Sequence, residues 1–293
     1  MIIFKNYNTH THTHTVRTRS KWIAFFEVYV LLLEYYGIRF VIRLLGFALP
    51  SLVQIMLEIL VVFEYMCRRY ASFFGGEGRD TFARRFFLTK GLTRFGQCMI
   101  FYQLILIFIF IRFGGEYVSV ESIYSGNGVV HFDRILQWFV GSPLLEELVF
   151  RILVIHVLYN RVPNPRPVWC VIVSAIIFGF SHLENMIGVG TSPNQFRYAL
   201  VQIGIGSIAG TLFGLRFIVA HPSVLESLCL HVLNNVIAAL WLKTNVLTLF
   251  SSGDLFICLA LANTILFYGG SIAMSLYTLS QNRVENMHKV NSN

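Results

Sequence analysis

The chain has 293 residues, of which 55% are hydrophobic and only 13% are charged, and its mean hydropathy is +0.63. Soluble domains carry about twice that share of charged residues, so the composition excludes an ordinary soluble domain and indicates a helical membrane protein. The net charge of +8 lies mostly between apolar runs, which indicates contact with anionic membrane lipids. No nucleic-acid-binding motif is present.

The N-terminal residues 1–21 contain three histidines that alternate with threonines, at His10, His12 and His14. This low-complexity pattern predicts a disordered tail rather than a metal site. The following stretch 22–37 is a doubtful span or an interfacial helix, because Glu27 and Glu34 interrupt it. The stretch 40–67, kinked at Pro50, is a better candidate for a membrane span.

The connection 68–94 is the most basic one in the chain, since it holds seven lysines and arginines. The positive-inside rule therefore predicts that it is cytosolic. Further spans are predicted, in chain order, at 95–113, 129–159, 168–182, 195–220, 223–242 and 255–279. The predicted fold is an all-α transmembrane bundle of seven to eight spans, with one membrane domain at 22–279 and a polar tail at 280–293.

Two carboxylates and a guanidinium, Glu146, Glu147 and Arg151, lie inside the apolar stretch 129–159. Ionisable groups at such a depth are costly and usually functional. Glu147 and Arg151 are four residues apart on a helix and can form an ion pair. Glu146 faces away from Arg151 and needs a partner on another helix or a bound water, so we expect Glu146 to react and the other two to support it.

Pro143 interrupts the same stretch. Its missing amide and fixed φ predict that one helix ends or a new one begins there, with Ser142 as the N-cap. We therefore predict that Pro143 splits 129–159 into a short interfacial helix and a second segment. The first part would then not cross the membrane, so the direction of every later span would be reversed. The cavity that contains Glu146 and His182 would open to the cytosol. Single cysteines at Asn164 and Ser192 should then label from opposite faces, with Ser192 reached from the cytosol.

Two more polar sites follow in separate apolar runs. Phe178 and His182 end one run, and His231 and Asn235 share a helix face in another. A histidine and an amide on one wall of a cavity can donate hydrogen bonds to a developing oxyanion, and His182 can share the proton of a water held by Glu146. Since no convincing serine or cysteine nucleophile is present, water is the expected attacking group.

A zinc ion is the chemical alternative. Glu146, His182 and His231 could provide a carboxylate and two imidazoles, with an open fourth position for water. The compact His-Glu-x-x-His signature of zinc peptidases is absent from the sequence. We therefore expect direct water activation without a cofactor, and zinc remains possible.

The three motifs resemble the CPBP intramembrane protease family, which includes the type II CAAX prenyl endopeptidases and the bacterial Abi-type proteins. The family signature is Glu-Glu-x-x-x-Arg, Phe-x-x-x-His and His-x-x-x-Asn or Asp, which here falls at 146–151, 178–182 and 231–235, within 130–242. The resemblance implies an eight-helix bundle with a polar cavity. It also implies Glu146 as the water-activating base, His182 as its partner, and His231 with Asn235 as oxyanion donors.

The resemblance further implies a substrate, an isoprenylated CAAX protein whose last three residues are removed, and an endoplasmic reticulum membrane in a eukaryote or a plasma membrane in a bacterium. The chain departs from the eukaryotic prenyl protease pattern, with Leu183-Glu184-Asn185 after the second motif and Val232-Leu233-Asn234 within the third. Two other functions stay open. An idle, immunity-type scaffold would need Glu147 and Arg151 but not Glu146, and a proton-coupled transporter would also use buried acids and histidines.

Overall fold

The computed structural model of the chain describes residues 21–45, 51–69, 92–113, 132–162, 165–183, 193–220, 223–241 and 255–291. Within these ranges eight helices are present and strands are absent, which confirms the all-α fold. The helices are α1 (Lys21–Leu45), α2 (Ser51–Arg69), α3 (Arg94–Phe113), α4 (132–161), α5 (Pro167–Ser181), α6 (Pro193–Val219), α7 (Val224–Trp241) and α8 (Leu255–Asn291).

The predicted boundary between the first two spans was wrong. The first helix runs on to Leu45, so Phe40 belongs to α1 and not to the second span. The last helix continues to Asn291, so most of the predicted polar tail is helical. The N-terminal residues 1–20, with their histidines, and Pro50 lie outside the described residues. Two described helices, at Arg94–Arg112 and Ala199–Val219, are long and apolar enough to cross a membrane by themselves.

Successive helices alternate in direction. The ion pair between Arg161 and Glu27, at 2.6 Å, joins the end of α4 to the beginning of α1. Contacts of Gly179 with Ser207 and of Gly214 with Val171 set α5 and α6 antiparallel. One end of the bundle, here called the Arg161 end, therefore holds the beginnings of the odd-numbered helices and the ends of the even-numbered ones. The opposite end is called the cavity end.

The predicted break at Pro143 is wrong, because α4 is continuous through it. Gly141 and Ser142 both have αR geometry, and no side chain caps the helix there. The helix instead widens into π-helical geometry over Gln137–Gly141 and again over Glu147–Val154. In such turns the hydrogen bond runs from residue i to i+5, and Ser142 donates its amide to Gln137 in this register. The missing amide of Pro143 therefore leaves one carbonyl, that of Trp138, without its backbone donor.

Side chains from neighbouring helices satisfy carbonyls in both wide turns. Asn235 of α7 donates its side-chain amide to the Trp138 carbonyl at 3.0 Å. Ser174 of α5 donates its hydroxyl to the Phe150 carbonyl at 2.6 Å. A buried carbonyl without a donor would cost free energy, so these bonds stabilise α4 where it departs from α-helical geometry.

Candidate active site

Glu147, Arg151 and His231 form a fully buried polar group at the centre of the bundle. The side chains of Glu147 and Arg151 are both completely inaccessible to solvent, and a 3.4 Å ion pair joins them. The same Glu147 oxygen, Oε1, accepts a hydrogen bond from Nδ1 of His231 at 2.9 Å. The pairing predicted from the four-residue spacing is therefore present, and it also connects α4 to α7.

Two aromatic rings cover the guanidinium of Arg151. Its Cζ lies 4.6 Å from the centroid of Phe178 and 5.7 Å from that of Phe213. Among the described residues, the three guanidinium nitrogens of Arg151 have no hydrogen-bond acceptor. Cation–π contacts and the ion pair with Glu147 therefore provide its stabilisation. Phe178, predicted as a supporting residue, also packs edge-on against His182 and His231.

Glu146 differs from Glu147 in its environment. Its side chain is 24% exposed, and its Oε2 lies 3.4 Å from Nε2 of His231. The predicted partner on another helix is thus His231, whose ring lies between the two glutamates. Because Glu147 is paired with Arg151 and accepts from Nδ1, the Nε2 atom and Glu146 can hold one proton between them.

His182 lies at the end of α5, where Nδ1 contacts the carbonyl oxygen of Phe178 at 3.0 Å. A carbonyl only accepts, so Nδ1 carries the hydrogen and the neutral imidazole has its lone pair on Nε2. Gly206 of α6 packs against this ring, and a Cβ placed there would lie 3.3 Å from Cε1. The tautomer and the position of His182 are therefore fixed by its own helix and by α6.

The amide of Asn235 is used inside the protein, since it donates to Trp138. Its neighbour Asn234 accepts a hydrogen bond from the hydroxyl of Tyr268 on α8. The two predicted oxyanion donors thus have different hydrogen-bond partners within the protein. His231 contacts both glutamates, whereas Asn235 supports the wide turn that precedes them.

A cavity of about 910 Å³ opens beside Glu146. Its walls come from the second half of α1, the part of α4 between Gln137 and Phe150 and the end of α5, and both Glu146 and His182 line it. This volume is at the upper end of the range for ligand pockets, about 300–1,000 Å³. Of the two acids, only Glu146 lines the cavity, which agrees with its predicted exposure to water or substrate.

The sequence analysis did not find two further groups of paired charged residues. Arg216 of α6 and Glu226 of α7 form a 2.5 Å pair with side chains 1% and 0% exposed, and Thr93 bonds to both. Thr93 immediately precedes α3, so this group joins three helices at the Arg161 end. Charged residues inside apolar runs were the available signal, the same one that drew attention to Glu146 and Arg151.

The second group lies at the cavity. Arg39 and Arg43 of α1 bind opposite oxygens of Glu58 on α2, at 3.3 and 3.1 Å. Arg39 also donates to the hydroxyl of Tyr35 at 3.0 Å. Both arginines line the cavity that contains Glu146. Their arrangement depends on the packing of α1 against α2, which no local sequence pattern could reveal.

The contacts of His231 are relevant to the predicted alternative of a zinc site. Both ring nitrogens of His231 face glutamate oxygens, at 2.9 and 3.4 Å. Within the described ranges, no three histidine, cysteine, aspartate or glutamate side chains converge as a group that could hold a metal ion. The three candidate ligands Glu146, His182 and His231 are near one another, but they are arranged around hydrogen bonds within the protein.

The fold and the site define a helical bundle with an acid–histidine centre buried beside a polar cavity. Residues 131–237 match the family model of the Rce1-like type II CAAX prenyl endopeptidases. This match supports the resemblance that the three motifs predicted, and the matched region contains every predicted site residue. The matched family is membrane-embedded, which supports an integral membrane localisation for this chain. No curated protein and no solved structure shows significant similarity to it.

Proposed function

We propose that the protein is an intramembrane endopeptidase in which Glu146 activates a water molecule. The observation that carries the proposal is the contrast between the two acids. Glu147 is completely buried and paired, whereas Glu146 is 24% exposed and lines the cavity. A purely structural polar group would need only the buried pair, so the exposure of Glu146 favours an enzyme over an idle scaffold.

In the proposed reaction, water donates a proton to Glu146 while its oxygen attacks the carbonyl carbon of the scissile peptide bond. The carbonyl oxygen becomes an oxyanion, which a protonated imidazole of His231 or His182 would stabilise by donating a hydrogen bond from Nε2. When the carbon–nitrogen bond breaks, the proton returns from Glu146 to the leaving amine. The products are a shortened chain with a new carboxylate and a released peptide with a new amine. In this scheme Asn235 keeps the first turn of the site in position.

A prenylated CAAX protein is the substrate that the family match supports. The test is to incubate the purified protein in detergent with a farnesylated CAAX peptide and to analyse the products by mass. Release of the intact C-terminal tripeptide by the wild type, and not by Glu146→Gln, is the expected result. Detergent exposes both ends of the bundle, so this experiment is independent of membrane orientation. Equal cleavage by the two proteins would contradict the assignment of Glu146.

A second substrate class is favoured by the charge distribution. The basic connection 68–94 joins α2 to α3 at the Arg161 end, so the positive-inside rule puts the cavity end on the opposite face of the membrane. The prediction of a cytosolic cavity depended on a split at Pro143, and α4 is continuous there. A membrane-anchored tail presented on the non-cytosolic face is therefore the alternative substrate.

A further inference from the structure

Ser142 presents a free hydroxyl on the wall of the cavity that also contains Glu146. The sequence predicted this side chain as a helix cap, but α4 is continuous there and no side chain caps it. The side chain is partly exposed, and among the described residues it has no hydrogen-bond partner. The hydroxyl is therefore available to a molecule that enters the cavity.

The position of Ser142 relative to Glu146 is set by the helix. The two residues begin and end one short α-helical segment and are four residues apart. Side chains with this spacing are neighbours on one helix face, with Cβ atoms about 5–6 Å apart. Helical side chains lean towards the N-terminus of their helix, which for α4 is the cavity end. The Ser142 hydroxyl and the Glu146 carboxylate thus face the same part of the cavity.

Three other polar side chains of the site are already committed. Ser181 lines the same cavity, but its hydroxyl donates to a backbone carbonyl of its own helix at 2.7 Å. Asn235 donates its amide to a backbone carbonyl of α4. His182 has its hydrogen on Nδ1, so its Nε2 donates only after protonation. Of these four side chains, Ser142 alone offers a neutral donor that is free.

We propose that the Ser142 hydroxyl donates a hydrogen bond to the carbonyl oxygen of the scissile peptide bond. The inference rests on the proposed function, in which water held by Glu146 attacks that carbonyl. Negative charge develops on the carbonyl oxygen during the attack, so the hydrogen bond is stronger in the transition state than in the bound substrate. Ser142 forms no covalent bond and keeps its proton in this step. It is a catalytic residue that lies outside the three motifs.

The first measurement is the rate of cleavage of a farnesylated CAAX peptide in detergent. Ser142→Ala should lower kcat about a hundredfold and leave KM nearly unchanged, because the lost bond is made mainly in the transition state. Ser142→Thr keeps a hydroxyl at this position and should therefore be more active than Ser142→Ala. Ser181→Ala is the matched control, since it removes a hydroxyl of the same cavity that is bonded within α5, and its kcat should stay close to that of the wild type.

A substrate with a thioamide at the scissile position identifies the atom that Ser142 contacts. Sulfur is a weak hydrogen-bond acceptor, so the thioamide largely loses this contact. The ratio of kcat for the amide to kcat for the thioamide is measured within each variant, which makes it independent of the folded fraction. This ratio should be about tenfold smaller in Ser142→Ala than in the wild type, and unchanged in Ser181→Ala.

The outcomes distinguish this inference from the proposed activity. If the wild type cleaves the peptide and Ser142→Ala keeps either its kcat or the wild-type ratio, the inference is overturned and the proposed activity stands. If folded Ser142→Ala loses cleavage completely, the hydroxyl is required as a nucleophile, and both the inference and the attack by water are overturned. If the wild type cleaves no peptide, the proposed function is overturned and the inference with it.

Discussion

The side-chain amide of Asn235 donates a hydrogen bond to the carbonyl oxygen of Trp138 across 3.0 Å. This carbonyl is the one that would receive the amide of residue 143 in the π-helical register, and residue 143 is a proline. The third motif therefore supports the helix that carries the first motif. It does so by a contact between α7 and α4 that is independent of any substrate.

This contact predicts that Pro143→Ala restores stability and activity to the Asn235→Ala variant. Asn235→Ala should lower stability by about 1 kcal/mol, because it leaves a partly buried carbonyl without a donor. Pro143→Ala supplies a backbone amide in the same register, so the double variant should recover most of the lost stability and activity. The measurements are thermal unfolding in detergent and peptide cleavage. If Asn235 instead donates to the oxyanion, the double variant should stay as inactive as Asn235→Ala.

Substitutions that affect the two adjacent acids should change different properties of the protein, turnover for Glu146 and folded yield for Glu147. Glu146→Gln should lower turnover by about a hundredfold or more while the folded yield stays normal, because it removes a base of similar shape. Arg151→Ala should reduce the folded yield, since it leaves Glu147 buried without its cation at a cost of about 3 kcal/mol. Size-exclusion profiles and cleavage rates measure the two effects. Wild-type turnover by Glu146→Gln would refute the catalytic role.

Two glycines on α6 provide a matched pair for testing His182. A Cβ at Gly206 would lie 3.3 Å from the His182 ring, whereas a Cβ at Gly204 meets no atom within 4 Å. Gly206→Ala should shift the ring by a few tenths of an ångström and reduce turnover about tenfold. Gly204→Ala should leave turnover unchanged and stabilise the helix slightly. Equal turnover by both variants would show that the position of His182 does not matter.

Removal of metals tests the direct activation of water. After exhaustive chelation, activity should persist with less than about one zinc ion per chain, the amount that a single catalytic site requires. Elemental analysis and the cleavage assay are run on the same sample. Stoichiometric zinc whose removal abolishes activity and whose return restores it would assign Glu146, His182 and His231 as ligands instead.

Cysteine labelling determines which face of the membrane the cavity meets. Asn164 lies in the connection between α4 and α5, and Ser192 immediately precedes α6, so single cysteines there should label from opposite faces. The seven basic residues of 68–94 predict that Asn164 is the cytosolic one. That result would favour, as substrate, a membrane-anchored protein tail that is presented on the non-cytosolic face. Labelling of Ser192 from the cytosol would instead favour a CAAX tail, which is presented there.

The sequence could indicate candidate site residues because each motif places charged or polar residues within an apolar run. Glu147 and Arg151 were paired by spacing alone, and the structure joins them. The partners His231 and Phe213 required knowledge of how α4, α6 and α7 pack, which depends on contacts between distant residues. The same reason explains why Arg39, Arg43 and Glu58 were not connected to the site.

The wide turns of α4 were not predictable from periodicity, because a 3.6-residue period was assumed throughout. Pro143 was interpreted as a helix end, which is its usual effect in α-helical geometry. The structure accommodates it because the preceding π-helical turn and the Asn235 amide compensate for the missing donor. The helix break at Pro143 was predicted wrongly because the contact between Asn235 and Trp138 forms only in the folded chain.

The π-helical turn over Gln137–Gly141 also determines where the length of this helix can change. A turn closed from residue i to i+5 contains one residue more than an α-helical turn. Deleting a single residue there would restore ordinary helical winding, and Glu146 and Glu147 would stay on nearly the same helix faces, because the longer and the shorter turn wind through nearly the same angle. The segment Ser142–Glu146 is α-helical, so deleting one residue within it would instead rotate both acids by about 100° relative to the preceding part. A change of one residue is thus tolerated before Ser142 and not between Ser142 and Glu146.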